Sequence, residues 1–257
     1  MIAVVRLPQP VCLGSTVTTK ATSRLCSRRA KYWRHLSDYR AGRRTNEPSR
    51  PKADSKRYAH PQVRAQLEAM FGTKCAYCET EVRASGPQHI EHYRPAARYP
   101  ALAYEWGNLL LACAECNVAY KSDRFPVAPS GNTPRENRRS PEARTGTGET
   151  PLLLNPCNDS PDAHFTYRAG RVVTLTHRGR VTRRICGLNR DFLVRDRRNH
   201  LKYVQLLLDS YQKAVRIGDA RQYIYRQDLS DVTSRTAKYA AMVRTELGTR
   251  GIDWRTL

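Results

Sequence analysis

Four of the eight cysteines form two closely spaced pairs, and this spacing is typical of a metal site. The pairs are Cys75/Cys78 and Cys113/Cys116, with two residues inside each pair and 34 residues between the pairs. Thiolates are soft ligands that suit zinc, and a two-residue gap lets one turn present both sulfurs to one tetrahedral ion. Four sulfurs leave no open coordination position, so the sequence predicts a structural zinc ion. The alternative is two redox-active or incidental cysteine pairs.

Polar residues between and beside these cysteines are the candidates for chemistry, because a structural zinc ion alone says nothing about catalysis. Glu91 and His92 are adjacent, Asn108 precedes a short apolar run, and Asn117 directly follows Cys116. On a strand, two adjacent side chains point to opposite faces. The ordinary alternatives are a structural histidine and asparagines that form turns or helix caps.

The chain carries a large excess of positive charge. Its 45 Lys and Arg residues outnumber 23 Asp and Glu residues, which gives a formal net charge of +22, and most of the basic residues are arginine. A guanidinium offers paired donors that match phosphate oxygens, so the composition favours a polyanionic partner and argues against a purely structural role. No apolar run reaches the length of about 18 residues that a membrane span needs. Eight cysteines are too few for a disulfide-dense secreted scaffold, so we expect one metal site in a reducing compartment, the cytoplasm.

Periodicity predicts the elements that position these residues. Segment 60–72 has apolar residues at i, i+4, i+7 and i+8, which predicts a helix that Gly72 ends. Segments 88–93 and 109–112 are predicted to be strands, and 115–122 a short helix.

Further along the chain, alternation over 164–185 predicts two or three antiparallel strands. Asn189 has the residue type of a helix N-cap and begins an amphipathic pattern that continues to Gly218. A last helix is predicted over 231–247, closed by Gly248. The predicted fold class is α+β, with small antiparallel hairpins and a helical C-terminal extension.

Composition divides the chain into four parts. Residues 1–57 hold 14 Lys and Arg residues and three acids, which predicts a basic, flexible N-terminal arm. Such an arm could lie on nucleic acid, be a solvated extension, or be a transit peptide. Residues 126–150 carry four prolines and three glycines without an apolar period, which predicts a loop. Between and after them lie a core, 58–125, and a hairpin with a helical extension, 151–257.

The order of these motifs resembles the HNH endonucleases with a zinc-stabilised ββα-metal fold. The resemblance rests on the first cysteine pair, on Ile-Glu-His-Tyr-Arg-Pro at 90–95, and on Asn-Leu-Leu-Leu-Ala-Cys at 108–113. It continues through Asn117 and Lys121. We therefore interpret 58–125 as an HNH core.

Additional motifs resemble one subgroup of HNH proteins, found in prokaryotic defence loci such as Septu-type and some retron systems. They are Lys-Cys-Ala-Tyr-Cys-Glu at 74–79, Tyr-Glu-Trp at 104–106, Leu-Asn-Pro-Cys at 154–157 and Gly-Leu-Asn-Arg at 187–190. The resemblance covers roughly 58–125 and 151–200, and leaves out the basic arm and the loop.

The resemblance implies a role for each candidate residue. His92 would be the general base, and Asn108 would orient His92 or brace the loop between the strands. Glu91 and Asn117 would hold one Mg²⁺ or Mn²⁺ ion through hard oxygen ligands. Two cationic side chains are candidates for contacting substrate phosphate: Arg94 and Lys121.

Two features of the first strand bear on this assignment. Many HNH proteins have Asp or His where Glu91 stands, although the defence-associated subgroup resembles this chain in having Glu. His89 lies two residues before Glu91 and so on the same strand face. It could join the metal, or it could form an ordinary hydrogen bond, which we favour.

The implied function is metal-dependent hydrolysis of DNA phosphodiester bonds in anti-phage defence, leaving 5′-phosphate and 3′-hydroxyl ends. The resemblance also implies a partner, an ATPase of the ABC/SMC-like kind, which we expect to dock on the helices after Asn189. Two alternatives remain open from the residues. One is the same chemistry on RNA such as tRNA, and the other is a zinc-stapled nucleic-acid-binding module without catalysis.

Overall fold

The computed structural model describes residues 1–82, 89–129 and 148–257. No helix in these ranges combines the length and the apolar character that crossing a bilayer requires. The described helices are α1 (Ser15–Arg40), α2 (Ser55–Tyr58), α3 (Pro61–Phe71), α4 (His177–Ile185), α5 (Asp191–Ile217), α6 (Gln222–Thr233) and α7 (Ala240–Thr249). The described strands are β1 (His89–His92), β2 (Leu109–Ala112), β3 (Phe165–Arg168) and β4 (Arg171–Thr174).

The predicted α+β class is confirmed: two separate antiparallel hairpins are combined with a helical C-terminal region. In the first hairpin Glu91 lies opposite Leu110 and His92 lies opposite Leu109. Every residue of β2 is buried, because this strand runs through the main hydrophobic core beside α3. Glu91 and His92 therefore lie on a strand whose partner, β2, is anchored in the hydrophobic core.

Helix α3 follows the sequence prediction closely. His60 caps it by accepting a hydrogen bond from the Gln62 amide, Pro61 occupies the first turn, and Gly72 ends it with a φ of 59°. A Cβ on Gly72 would lie 2.7 Å from the Cβ of Thr236, so glycine also allows the connection after α6 to approach. The helix thereby fixes the chain immediately before the first cysteine pair.

The basic N-terminal segment differs from the expected flexible arm, because residues 15–40 form a 26-residue helix. Ala21 and Leu25 of α1 pack against Ala103 and Tyr104 in the loop between β1 and β2. The apolar residues of α1 recur on one face while most of its basic residues are exposed. From the sequence we considered the overall charge of this segment and did not identify the helical spacing of its apolar residues.

The segment after the second hairpin also corrects the sequence interpretation. The predicted third strand is α4, whose N-cap Thr176 accepts a hydrogen bond from the amide of Gly179. The predicted last helix is two helices, α6 and α7, separated where Ser234 adopts an extended ψ of 143°. Both errors come from short segments whose period was too brief to identify the element.

Asn189 does not cap α5, which begins after Arg190. The Asn189 side chain instead accepts a hydrogen bond from Val172 N at 2.8 Å and donates one to Val172 O at 3.0 Å. Asn189 therefore clasps the second hairpin to the start of α5. The predicted end of α5 is confirmed, since Gly218 adopts the left-handed conformation there.

Two predicted segments lie partly outside the described residues. The first predicted strand, 88–93, begins at Gln88, which lies outside the described residues. Most of the predicted loop 126–150 also lies outside them. The described ends of that loop approach each other, because Val127 pairs with Pro151 in an antiparallel bridge.

Candidate active site and metal centre

The four paired cysteines converge as the sequence predicts. Their sulfur atoms all lie within 4.8 Å of one another, and all four residues are buried. Cys75 and Cys78 share a tight turn in which Glu79 takes a positive φ of 62° and donates its amide to the Cys75 carbonyl at 3.0 Å. Four converging thiolates are the donor set of a closed tetrahedral zinc site, so these residues fit a structural zinc ion.

Arg190 contacts the cysteine cluster, although we assigned it no role from the sequence. Its guanidinium lies 3.5 Å from Cys116 Sγ and 3.7 Å from Cys78 Sγ. Burial opposes ionisation of Cys78, but hydrogen bonds from neighbouring thiols and the charge of Arg190 hold the pKa of Cys78 well below its usual range. The positive charge of Arg190 therefore favours the thiolate form of Cys78. The only sequence signal was its place in the motif at 187–190.

His92 lies at the end of β1 with two defined neighbours. Its Nε2 is 2.8 Å from the carbonyl oxygen of Ala103, and the ring of Tyr58 packs edge-on against it at 4.6 Å between centroids. A carbonyl oxygen only accepts hydrogen bonds, so Nε2 carries the proton and Nδ1 carries the lone pair. Burial lowers the pKa of His92 to about 4, which keeps the imidazole neutral at pH 7.

Glu91 and Lys121 form a buried ion pair. The Lys121 ammonium contacts Glu91 Oε1 and also donates to the His92 carbonyl at 3.0 Å. Lys121 is fully buried and Glu91 is 3% exposed. Burial raises the pKa of Glu91 to about 7, although the charge of Lys121 opposes this rise. In this arrangement the Lys121 ammonium is enclosed and paired with Glu91, so the structure does not place it for the expected contact with phosphate.

A divalent cation is the second ion that the resemblance implies. Asn117 lies in the single wide helical turn Glu115–Lys121, and Glu91 lies on β1. Carboxylate and amide oxygens fit Mg²⁺ or Mn²⁺, which are commonly held by one or two carboxylates with water and phosphate. Within the described ranges, the four cysteines are the only group of three or more His, Cys, Asp or Glu side chains placed to share an ion. His89, at the start of β1, belongs to no such group.

Asn108 braces the loop between β1 and β2. Its amide donates to the carbonyls of Arg94 and Leu102, both at 3.0 Å, and its Oδ1 accepts from Arg94 N at 2.7 Å. The loop held in this way includes Ala103, whose carbonyl contacts His92. Of the two roles considered for Asn108, the geometry supports bracing, and any effect on His92 is indirect.

We predict that Asn108→Ala destabilises the fold. Three partly buried backbone groups would lose their partner, and each unsatisfied buried group costs about 1–3 kcal/mol, so the expected loss is roughly 3 kcal/mol. Urea unfolding of the two proteins measures the difference. Asn158→Ala, a change at an exposed asparagine, is the matched control and is expected to leave the free energy of unfolding unchanged.

Arg94 is likewise engaged within the protein. Its guanidinium pairs with Glu149 at 2.5 Å and lies over the rings of Tyr99 and Phe125. The expected contact of Arg94 with phosphate is therefore not supported, because the side chain is largely buried and its charge is neutralised by Glu149.

An antiparallel hairpin followed by a short helical segment and closed by four cysteines is the arrangement of a ββα-metal domain. Residues 75–123 match the family described as HNH endonuclease, which confirms the resemblance found in the sequence. The chain therefore contains a domain that matches the HNH family over these residues.

The chain is also similar to proteins of the Septu system. It is 28% identical over 187 residues to the Septu protein PtuB of Bacillus mycoides, covering 66% of this chain and 61% of that protein. It is 33% identical over 142 residues to the Septu protein PtuA of the same organism, covering 50% and 19% of the two chains. It is 33% identical over 82 residues to a PtuB of Bacillus thuringiensis, covering 30% and 32%. The chain thus spans less than two thirds of the length of each relative.

Proposed function

We propose that this protein is a metal-dependent HNH endonuclease that hydrolyses phosphodiester bonds of DNA in an anti-phage defence system. The observation that carries the proposal is the neutral His92 imidazole, held through Nε2 with Nδ1 free to accept a proton, within a domain that matches the HNH family. The similarity to Septu proteins supports the role in defence.

In the proposed reaction, His92 Nδ1 takes a proton from a water molecule, whose oxygen attacks the phosphorus atom. The bond from phosphorus to the 3′ oxygen breaks and the departing oxygen takes a proton from a second water molecule, which leaves a 3′-hydroxyl and a 5′-phosphate. Glu91 and Asn117 would hold a divalent cation, and such a cation neutralises charge on the phosphoryl oxygens and the departing oxygen. The Ala103 carbonyl and the Tyr58 ring keep the imidazole in one tautomer and one plane.

The nature of the substrate is tested by offering end-labelled DNA and tRNA to the zinc-loaded protein with Mn²⁺ or Mg²⁺. We expect cleavage of DNA that EDTA stops, with products that carry a 5′-phosphate. Cleavage of tRNA alone would replace the proposed substrate by RNA. Binding of both nucleic acids without any cleavage would favour the zinc-stapled binding module instead.

We further propose that the nuclease acts with an ABC/SMC-like ATPase, and that the partner docks on α5. Four apolar side chains of α5 remain between 52% and 68% exposed: Phe192, Tyr203, Leu206 and Ile217. Their spacings of 11, 3 and 11 residues place them on one side of the helix over about 38 Å. An exposed apolar stripe of this length is characteristic of a surface that another protein covers.

The basic side chains beside this stripe indicate what kind of partner surface would bind there. Arg195, Lys202 and Arg216 lie along one border of the stripe and are exposed. A second copy of this strongly basic chain would be repelled, whereas an apolar groove with an acidic border would be attracted. We therefore favour the ATPase as occupant over self-association.

We predict that Leu206→Asp abolishes co-purification with the proposed ATPase when the two proteins are co-expressed. The substitution places an uncompensated charge in the centre of the stripe. Leu175→Asp, at another exposed leucine, is the matched control and should still co-purify. A dimer of this chain in light scattering, broken by Leu206→Asp, would assign the stripe to a second copy instead.

A further inference from the structure

The ion pair between Glu91 and Lys121 conflicts with a simple role for Glu91 as a metal ligand. The Lys121 ammonium is in direct contact with Glu91 Oε1, on the carboxylate that the proposed cation would use. It also donates to the carbonyl of His92, the next residue on β1. A doubly charged ion and an ammonium cannot share this enclosed carboxylate without strong repulsion.

The backbone around Lys121 has an unusual form. The turn Glu115–Lys121 is wider than an α-helix, and Ser122 N donates to Asn117 O at 2.7 Å, five residues back. Ser122 itself adopts a φ of 47°, in the left-handed region that favours glycine. Such wide turns and left-handed non-glycine residues cost energy and are often found at functional sites.

From these contacts we infer that Lys121 is the resident counter-ion of Glu91, and that a divalent cation binds at Glu91 by displacing the Lys121 ammonium. This inference rests on the proposed function, since it concerns the same site. It makes Lys121 a positioning residue: it stabilises the carboxylate until the cation arrives. The displacement requires the Lys121 side chain to leave its enclosed position at the end of the turn, beside Ser122.

If the inference is correct, cation binding changes the chemical reactivity of the Lys121 amine. The zinc-loaded protein is treated with an amine-acetylating reagent, with and without Mg²⁺, and the modified lysines are quantified by mass spectrometry. We expect Lys121 to be protected without Mg²⁺ and to become reactive with it. The matched control is Lys74, another buried lysine, which lies 3.8 Å from Glu79 and donates to Ala237 O at 2.9 Å. Lys74 should stay protected under both conditions.

A second measurement uses substitution and calorimetry with Mn²⁺. Removing the competing ammonium in Lys121→Met should tighten Mn²⁺ binding, by about tenfold if the paired state makes up roughly nine tenths of the population. Lys74→Met should leave the Mn²⁺ affinity unchanged. The zinc content of each variant establishes that its fold is intact.

Glu91→Gln separates a failure of this inference from a failure of the proposed function. Suppose that Glu91→Gln abolishes Mn²⁺ binding, but that Lys121 of the unsubstituted protein stays protected from acetylation in the presence of Mg²⁺. The displacement of Lys121 is then overturned, and the proposed metal site stands. If Glu91→Gln binds Mn²⁺ as well as the original protein does, Glu91 is not a ligand, and both the metal assignment and the displacement are overturned. Loss of Mn²⁺ binding in Glu91→Gln with exposure of Lys121 by Mg²⁺ supports both.

Discussion

Replacing His92 by alanine is expected to lower the rate of DNA cleavage by at least about 100-fold, the usual contribution of a general base. The imidazole is neutral, and its Nδ1 lone pair has no equivalent in alanine. Nucleic-acid binding should persist, because it depends on the charge of the whole chain. Cleavage is measured on end-labelled DNA with Mn²⁺, and binding by fluorescence anisotropy at the same salt concentration.

The matched control is His177→Ala, a change at an exposed histidine at the start of α4. It should leave cleavage, binding and zinc content unchanged. Unchanged cleavage in His92→Ala would remove this residue from the mechanism, whereas loss of both cleavage and zinc would show that the substitution acts through the fold.

The parts of this protein that follow from its sequence are those fixed by short-range chemistry. Two-residue spacing brings two sulfurs to one ion, a short apolar run defines β2, and a 3.6-residue apolar pattern defines α3. The order of these motifs also placed Glu91 and His92 on a strand at the zinc site. Each of these features depends on residues that lie close together in the chain.

The features that the sequence did not reveal depend on contacts between distant segments. Lys121 has the residue type of a phosphate ligand, and only the fold shows that its ammonium is enclosed with Glu91. Arg94 is neutralised by Glu149, 55 residues away. A charged side chain has no sequence pattern that reveals its partner, so the family resemblance alone suggested a phosphate contact for both residues.

The contacts of the N-terminal helix α1 with a distant loop also could not be predicted from the sequence. The charge of residues 1–57 indicated contact with a polyanion, but Ala21 and Leu25 pack on the loop that holds His92 in place. Tyr58, the first residue of the predicted core, packs against the imidazole from the end of α2. The segment beyond the predicted core therefore contributes to positioning the candidate base.

Replacing Cys116 by serine is expected to have the largest effect on stability. The four sulfurs converge in the buried core and connect the turn before β1 to the segment after β2. Structural zinc contributes about 10–16 kcal/mol of apparent binding energy in small domains, which is comparable to the total stability of a domain, about 5–15 kcal/mol. Loss of one ligand should therefore release zinc and unfold the nuclease domain.

This expectation is checked by metal analysis and thermal unfolding of the purified protein. The original chain should contain about one zinc ion, the number that four thiolates hold. Cys116→Ser should contain none and should unfold at a much lower temperature. Cys157→Ser, a change at a half-buried cysteine outside the cluster, is the matched control and should keep its zinc. Equal zinc content and equal melting temperature in Cys116→Ser would contradict a four-cysteine site, and the cluster would then have to be interpreted as free thiols.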